Sequence, residues 1–290
     1  MPYGQAIEWP DHARLVITTS VMFEEGGEVY PDSKALGPLP PMDWTKYRDY
    51  PTLSWFKYGC EVAVPRLLDI FDRQGIKTTF FVVGKACEIN PQLVREIARR
   101  EHEIAGHGWV WVDQYEMDLE TEREFIRKSV EVIERTVGQR PLGWNCYALR
   151  DSDYTLELLV EQGFVYHIDE VSDDVPFLRE VAGRPFVTVP YTIHLNDLVM
   201  VGFQGVTAPQ LFEAYRYEFD WLYEESKRHP TMMTISCHPR VGGRPGTAKA
   251  LNDFITYAKQ HEGVAFMRKI DIANWWLKRY GAQAVRAART

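Results

Sequence analysis

Two adjacent carboxylates, Glu24 and Glu25, follow an apolar, β-branched run that predicts a buried strand over residues 14–21. Two glycines and a further acid, Glu28, come directly after the pair. Like charges side by side raise the pKa of one carboxyl group unless a cation or a hydrogen-bond donor compensates. A pair this costly at a strand end indicates that chemistry is done there, and a solvated acidic turn is the competing interpretation.

Two of the eight histidines stand in the same relation to a predicted strand. His107 comes after the short strand predicted over 103–105, and His238 after the strand predicted over 231–237. An imidazole titrates near neutral pH, so both side chains are suited to carry protons in a reaction. We expect the following histidines to be ordinary core or surface groups: His12, His102, His229 and His261.

The elements that must position these groups alternate along the chain. Apolar runs predict strands near 14–21, 77–83, 103–105, 142–145, 164–168, 186–189, 198–202, 231–237 and 264–267. Helical spacing predicts helices near 61–74, 90–100, 118–137, 152–162, 209–228, 247–260 and 270–280. About seven alternations without a linker favour a single βα barrel, in which function gathers at the carboxyl ends of the strands. Trp144, Asn145 and Asp169 also fall at such ends.

The composition narrows the kind of partner. The 290 residues carry 41 acidic and 33 basic side chains, which give a formal net charge of −8. This charge argues against nucleic acid or an anionic membrane as the main partner, and we expect a small-molecule substrate. Four cysteines without paired spacing indicate neither a zinc finger nor a disulfide framework. The N-terminus has no signal-peptide pattern and no run is long enough to cross a membrane, so we expect a cytoplasmic protein.

One segment, residues 29–55, contains five prolines and shows no periodicity. A connection of this length inside a compact domain is commonly a lid, a binding loop or an oligomer arm. We therefore expect residues 1–290 to form a single domain in which this segment covers the site. The aromatic side chains over 44–56 are candidates for contacts in a homo-oligomer.

Several pieces of the chain together resemble the motifs of a known family. The pieces are residues 21–28, 103–109, 143–145, 236–240 and 243–245. In this order they are similar to the motifs of the polysaccharide deacetylase superfamily, the NodB-homology fold. The resemblance spans residues 16–276 and implies a single distorted (β/α)7-type barrel.

The metal site of that superfamily carries over only in part. Most members have an Asp-Asp pair, in which the first Asp acts as base and the second binds a metal with two histidines one helical turn apart. The resemblance puts Glu24 and Glu25 at the pair, His107 at the first histidine and Trp111 at the second. An indole does not ligate zinc. The sequence therefore leaves two alternatives, no cofactor or one divalent metal such as zinc held by Glu25 and His107.

The closer similarity is to a branch that contains allantoinase of the urate-catabolism type and cyclic imide hydrolases. The shared features are Glu-Glu-Gly-Gly-Glu over 24–28, a single histidine in the second motif, and His-Pro-Arg followed by Gly-Arg-Pro in the last. The resemblance implies a hydrolase of carbon–nitrogen bonds other than peptide bonds. It predicts that the substrate is a cyclic amide, imide or ureide.

Opening such a ring needs a base for water, a donor for the developing oxyanion and an acid for the departing nitrogen. By position we predict that Glu24 is the base and His238 the acid. Glu25 would orient water or bind a metal, and His107 would polarise the carbonyl group. Arg240 would hold His238 or a substrate carboxylate. The predicted substrate contacts are Trp109, Trp111, Trp144, Asn145, Tyr191, Asn196 and Arg240.

Two other functions stay open at this point. One is a metal-dependent de-N-acetylase of a sugar or a peptidoglycan fragment, which requires a metal at Glu25 and His107. The other is a binding barrel that kept the fold and lost the chemistry through Trp111. The retained carboxylate pair and His238 have no evident purpose in a binding barrel.

Overall fold

β1 (Leu15–Phe23) pairs with three other strands, and all nine of its residues are buried. The computed structural model describes residues 7–29, 43 and 46–287. The other strands are β2 (Thr79–Val82), β3 (Glu103–Gly106), β4 (Gly143–Trp144), β5 (Tyr166–His167), β6 (Phe177–Val181), β7 (Arg184–Thr188), β8 (Thr231–Cys237) and β9 (Val264–Phe266).

The helices are α1 (Tyr50–Tyr58), α2 (Val64–Gln74), α3 (Gly84–Ile89), α4 (Pro91–Arg99), α5 (Leu119–Val137), α6 (Thr155–Glu161), α7 (Ala208–Glu225), α8 (Pro239–Gly242), α9 (Pro245–Ala258) and α10 (Lys269–Ala287). The segments Gly59–Ala63 and Leu198–Phe203 are π-helical. Short 3₁₀ turns include Tyr147–Leu149 and Ile193–Leu195.

The sheet is curled, and its strands are mainly parallel. β8 pairs with one edge of β1, while β9 and β2 share the other edge, against residues 15–17 and 20–23. The sheet continues through β3, β4, β5 and β7, and it ends in β6, which runs antiparallel to β7. An isolated parallel bridge joins Asn196 to Ser236 in β8. The predicted barrel of alternating strands and helices is confirmed in the form of a curled, open barrel.

The two faces of β1 serve different cores. Because side chains alternate along a strand, Leu15 and Ile17 face one side and Val16 and Met22 the other. The first pair packs in a cluster with buried residues of α2, α7 and α9, outside the barrel. The second pair packs inside the barrel with Phe81 and other inward residues, and with buried residues of α10.

Two predicted elements differ from the structure. The strand predicted over 198–202 is the π-helical segment Leu198–Phe203. The side chain of Asn196 accepts a hydrogen bond of 2.8 Å from the backbone N–H of Leu198, which favours a helical turn at this point. A short apolar run does not by itself distinguish a strand from a buried helical turn, and so the periodicity was ambiguous here.

The proline-rich segment has a helical end. Residues 30–42 and 44–45 of the predicted covering segment lie outside the described residues. Tyr50–Tyr58 is helical, so the last part of the predicted irregular segment, residues 50–55, belongs to a helix. Asp49 accepts a hydrogen bond of 3.1 Å from the N–H of Thr52, and Pro51 lies in the first turn of α1. A proline in that position is compatible with a helix, because its missing N–H would have no partner there.

Within residues 7–29, 43 and 46–287, none of the helices combines the length and the apolarity that a bilayer crossing requires.

Candidate active site

A cavity of about 270 Å³ lies at the carboxyl ends of the strands. Its lining includes eight of the side chains that the sequence singled out: Glu24, His107, Trp111, Asn145, Tyr191, Asn196, His238 and Arg240. A second cavity of about 650 Å³ lies at the opposite end of the barrel, among residues of α4, α5 and the start of α10. None of the predicted site residues lines that second cavity.

Strand alternation explains why these side chains meet. Glu24 continues the inward face of β1 two residues after Met22, and His107 continues that of β3 two residues after Ala105. His238 extends β8 in the same way. Because parallel strands end at the same edge of a sheet, the three groups come together although they are far apart in sequence.

Glu24 is the centre of the polar contacts in this cavity. Its Oε1 lies 3.2 Å from His107 Nε2 and 3.8 Å from His238 Nε2, and its Oε2 forms an ion pair with Arg240. Burial alone would raise the pKa of Glu24, but the charge of Arg240, together with His238 and His107, outweighs burial and holds the pKa well below its usual range. The carboxylate is therefore ionised at neutral pH.

His107 is held from both sides. Its Nδ1 lies 3.0 Å from the backbone carbonyl oxygen of Asn145, and its Nε2 faces the carboxylate of Glu24. A carbonyl oxygen and a carboxylate only accept hydrogen bonds, so both contacts are satisfied when the ring carries both protons. The side chain of Asn145 donates to Asp169, which also accepts a hydrogen bond of 2.9 Å from the N–H of Cys146. Asp169 thus fixes the segment whose carbonyl group orients His107.

His238 is oriented by Asp197. The Nδ1 atom of the ring lies 2.8 Å from Asp197 Oδ1, and the backbone N–H of His238 donates to both carboxylate oxygens at 2.9 and 2.8 Å. This arrangement leaves Nε2 directed toward Glu24 and the cavity. Sequence reasoning did not assign a role to Asp197, since no spacing signal links residues 41 positions apart. Its place beside Asn196, which lines the cavity, was the available clue.

Arg240 lies in α8 and is 3% exposed. Its guanidinium carbon is 4.3 Å from the ring centroid of Phe56, 5.1 Å from that of Trp55 and 5.5 Å from that of Trp111. Such positions over aromatic rings stabilise a buried cation. Trp55 also donates a hydrogen bond of 3.1 Å to the carbonyl oxygen of Arg240. The sequence predicted that Arg240 would hold His238 or a substrate carboxylate, whereas its partner in the structure is Glu24.

Three predicted site residues lie away from the cavity lining. Glu25 points to the opposite side of the strand from Glu24, where Asn90 donates to it, and burial raises its pKa. Trp144 is on the outward face of β4, fully buried against Phe164 at a centroid distance of 5.4 Å. Trp109 packs under the ammonium group of Lys128, 3.8 Å from the ring centroid.

The side chains at this cavity do not fit the divalent metal of the related deacetylases. Glu25 and His107 point to different sides of the sheet, and Trp111 takes the position at which the resemblance expects a second histidine. Glu24 is already paired with a guanidinium group, which repels a second cation. Among the described residues there is no group of three or more His, Cys, Asp or Glu side chains that could hold a metal ion.

The barrel and this cavity define a class of protein. An ionised carboxylate, two imidazoles and a buried guanidinium group at the carboxyl end of a βα barrel are groups that can transfer protons and stabilise charge, as a hydrolase requires.

Comparison with known proteins gives the family. The sequence profile of the polysaccharide deacetylase family matches residues 51–167. The crystal structure of PuuE allantoinase is 34% identical, with a TM-score of 0.87, and covers 94% of this chain and 93% of that one. A "probable polysaccharide deacetylase" of Pseudomonas aeruginosa is also 34% identical, with a TM-score of 0.87 and 94% of both chains covered. Peptidoglycan deacetylase of Helicobacter pylori is 27% identical over 255 residues, 77% of this chain and 86% of its own length.

The chain belongs to the polysaccharide deacetylase family. The predicted NodB-homology fold is confirmed, and so is the prediction that the chain is a hydrolase of carbon–nitrogen bonds.

Proposed function

We propose that this enzyme opens a cyclic amide, imide or ureide. The observation that carries the proposal is the ion pair of Glu24 with Arg240 inside a small cavity. A volume of about 270 Å³ is at the lower end for ligand pockets and suits one small molecule rather than a polysaccharide chain. The 34% identity to an allantoinase over most of both chains supports the same class of reaction.

The proposed reaction begins with water beside Glu24 Oε1. The water oxygen forms a bond to the carbonyl carbon of the ring, and its proton passes to the carboxylate of Glu24. The carbonyl oxygen gains negative charge in this step. His107 and Arg240 are the hydrogen-bond donors next to Glu24, and they stabilise that charge.

The second step breaks the carbon–nitrogen bond. His238 Nε2 gives its proton to the departing nitrogen, which becomes the amine or amide end of the opened chain. Asp197 accepts from Nδ1 and stabilises the charged ring before that transfer. The new carboxylic acid loses its proton to the neutral His238, and Glu24 returns its own proton to solvent, so the enzyme is regenerated.

Turnover of four ring compounds tests the proposal. Hydantoin, succinimide, phthalimide and allantoin are incubated with the purified protein, and ring opening is followed by loss of ultraviolet absorbance and by chromatography. We expect opening of at least one ring, unchanged by a chelator and abolished in Glu24→Gln. A folded protein that leaves every ring closed would refute the proposal.

The second candidate is a metal-dependent de-N-acetylase, which the names of several relatives favour. It predicts acetate release from N-acetylglucosamine oligomers and loss of that activity with a chelator. The chelator arm of the same assay separates the two candidates, because the proposed ring opening uses only side chains of this chain.

A further inference from the structure

The lining of the cavity contains apolar side chains as well as the polar groups. The apolar set, here called the apolar wall, consists of Leu149, Ile193, Leu198, Val199 and Phe203. It comes from two segments, the 3₁₀ turn Tyr147–Leu149 and the stretch from Ile193 through the π-helical segment Leu198–Phe203. Single-turn π-helices occur frequently at functional sites.

The turn that carries Leu149 is under backbone strain. Ala148 and Leu149 both have positive φ, 54° and 61°, a conformation that residues with a side chain rarely adopt. Both residues line the cavity. Strain of this kind persists where the surrounding structure enforces it, and it clusters at ligand-binding positions. The strain at Leu149 therefore points to a role for this side chain in the cavity.

The outer part of the apolar wall is exposed. Phe203 is 56% exposed and Ile193 46% exposed, although both line the cavity. Apolar side chains that reach from a reaction centre to solvent would be covered by an apolar part of the substrate, with a gain from burial. No free positive charge faces them, because Arg240, the one cationic Lys or Arg side chain in the described lining, is paired with Glu24.

From this arrangement we infer the substrate class, an inference that rests on the proposed function. The substrate is a neutral cyclic amide with an apolar substituent, an aromatic or branched alkyl group. The ring amide lies at Glu24, and the substituent lies against the apolar wall, between Leu149 and Val199. A carboxylate at the same place would lose its hydration without finding a charged partner, and a ureido group would lose hydrogen bonds to water against apolar side chains.

Four hydantoins that differ only at ring carbon 5 test this inference. They are hydantoin itself, 5-phenylhydantoin, 5-isobutylhydantoin and allantoin, which carries a ureido group. The ring to be opened is constant, so differences report on the substituent alone. We expect kcat/KM for the phenyl and isobutyl compounds to exceed that for allantoin at least tenfold. Ring opening with equal or better turnover of allantoin would overturn the inference and leave the proposed function intact.

Substitutions in the apolar wall test whether these residues cause the preference for an apolar substituent. Val199→Asn and Phe203→Ser are expected to reduce the ratio of phenyl to ureido turnover severalfold. Trp221→Ser is the matched control, since Trp221 is an aromatic residue on α7 that is 64% exposed and lies outside the cavity lining. An unchanged ratio in both wall variants contradicts the inference.

Leu149→Gly separates specificity from folding. Glycine adopts positive φ without strain, which offsets part of the packing that the Leu149 side chain loses against the core, so we expect the variant to stay folded while the preference for the phenyl compound falls. A preference that survives this change contradicts the inference. If no hydantoin is opened, calorimetric titration with the same four compounds decides the inference, and the proposed function fails only if succinimide and phthalimide also stay closed. Binding of 5-phenylhydantoin no tighter than that of allantoin would overturn it.

Discussion

Both ends of the barrel bury a glutamate near a cation, yet the pKa values of the two glutamates are shifted in opposite directions. At the carboxyl end, Arg240 and two histidines hold the pKa of Glu24 low against the effect of burial. At the amino end, burial raises the pKa of Glu103 and lowers that of Lys269 to about 7, although the charge of Glu103 favours the charged form of Lys269.

The hydrogen-bond partners explain the difference. Glu24 meets a guanidinium group and two imidazoles, all of which can donate from a charged form. Glu103 accepts from the hydroxyl groups of Tyr166 and Thr79 at 2.7 and 2.6 Å, and from the N–H of Ile270 at 3.0 Å. Hydroxyl groups and backbone N–H groups do not gain or lose a charge near neutral pH. A buried acid near a cation is therefore not evidence of catalysis by itself; the partners decide which end can do acid–base chemistry.

The largest expected effect is the loss of the proton donor at the carboxyl end. In His238→Ala we expect kcat for ring opening to fall about 10²–10⁴-fold, the usual contribution of a general acid. Folding stability should change little, because Asp197 keeps its hydrogen bonds to the backbone N–H. His194→Ala is the matched control, since His194 is an exposed histidine outside the cavity lining. Equal ring-opening activity in both variants would show that His238 is not the acid.

Glu24→Gln tests whether the ion pair is structural as well as chemical. Arg240 would then be a buried cation without its counter-charge, so we expect the free energy of unfolding in urea to fall by about 3 kcal/mol. Ionised Glu24 contributes fully above its ordinary pKa of 4.5 and loses the contribution as pH falls below that value, so variant and wild type should converge in acid.

Two further variants sharpen this test. Glu24→Gln combined with Arg240→Met removes both charges and should recover part of the lost stability. Glu103→Gln at the amino end should cost less than half as much as Glu24→Gln, because burial favours a neutral group there. An equal loss at the two ends would contradict the contrast between them.

Lys269→Met is expected to stabilise the protein. Lys269 is fully buried, and its ammonium group has no hydrogen-bond partner among the residues that the structure describes. The folded pKa of about 7 lies below the ordinary 10.5, so between these values the unfolded chain binds more protons and wild-type stability rises with pH. Below pH 7 the full free-energy cost of burying the charged ammonium group of Lys269 applies.

We therefore expect a gain of about 2 kcal/mol in the free energy of unfolding at pH 6, smaller at pH 10, with kcat/KM unchanged. Urea denaturation at the two pH values measures it. Lys249→Met, at a lysine whose side chain is 74% exposed, is the control and should change little. A destabilised Lys269→Met would mean that the ammonium group contributes favourably at the amino end.

The sequence predicted which side chains lie at the carboxyl end of the barrel better than it predicted the contacts among them. Strand ends located Glu24, His107 and His238, which the structure brings to one cavity. The direction of Glu25 could not be read, because β1 is buried on both faces and shows no apolar alternation to mark the inward side. The ion pair of Glu24 with Arg240 joins residues 216 positions apart, and only the closure of the barrel brings them together.

Tyr166→Phe should have the smallest effect on stability, and it changes contacts only at the amino end of the barrel. The change removes the hydrogen bond from the Tyr166 hydroxyl to Glu103 Oε1 and leaves the ring in place. We expect the free energy of unfolding to fall by about 1 kcal/mol, the usual net value of one hydrogen bond. Because Glu103 keeps its bonds from Thr79 and Ile270, kcat/KM should stay at the wild-type value. A drop in kcat/KM of tenfold or more would show that the two ends are coupled, since Tyr166 lies outside the lining of the cavity at the carboxyl end.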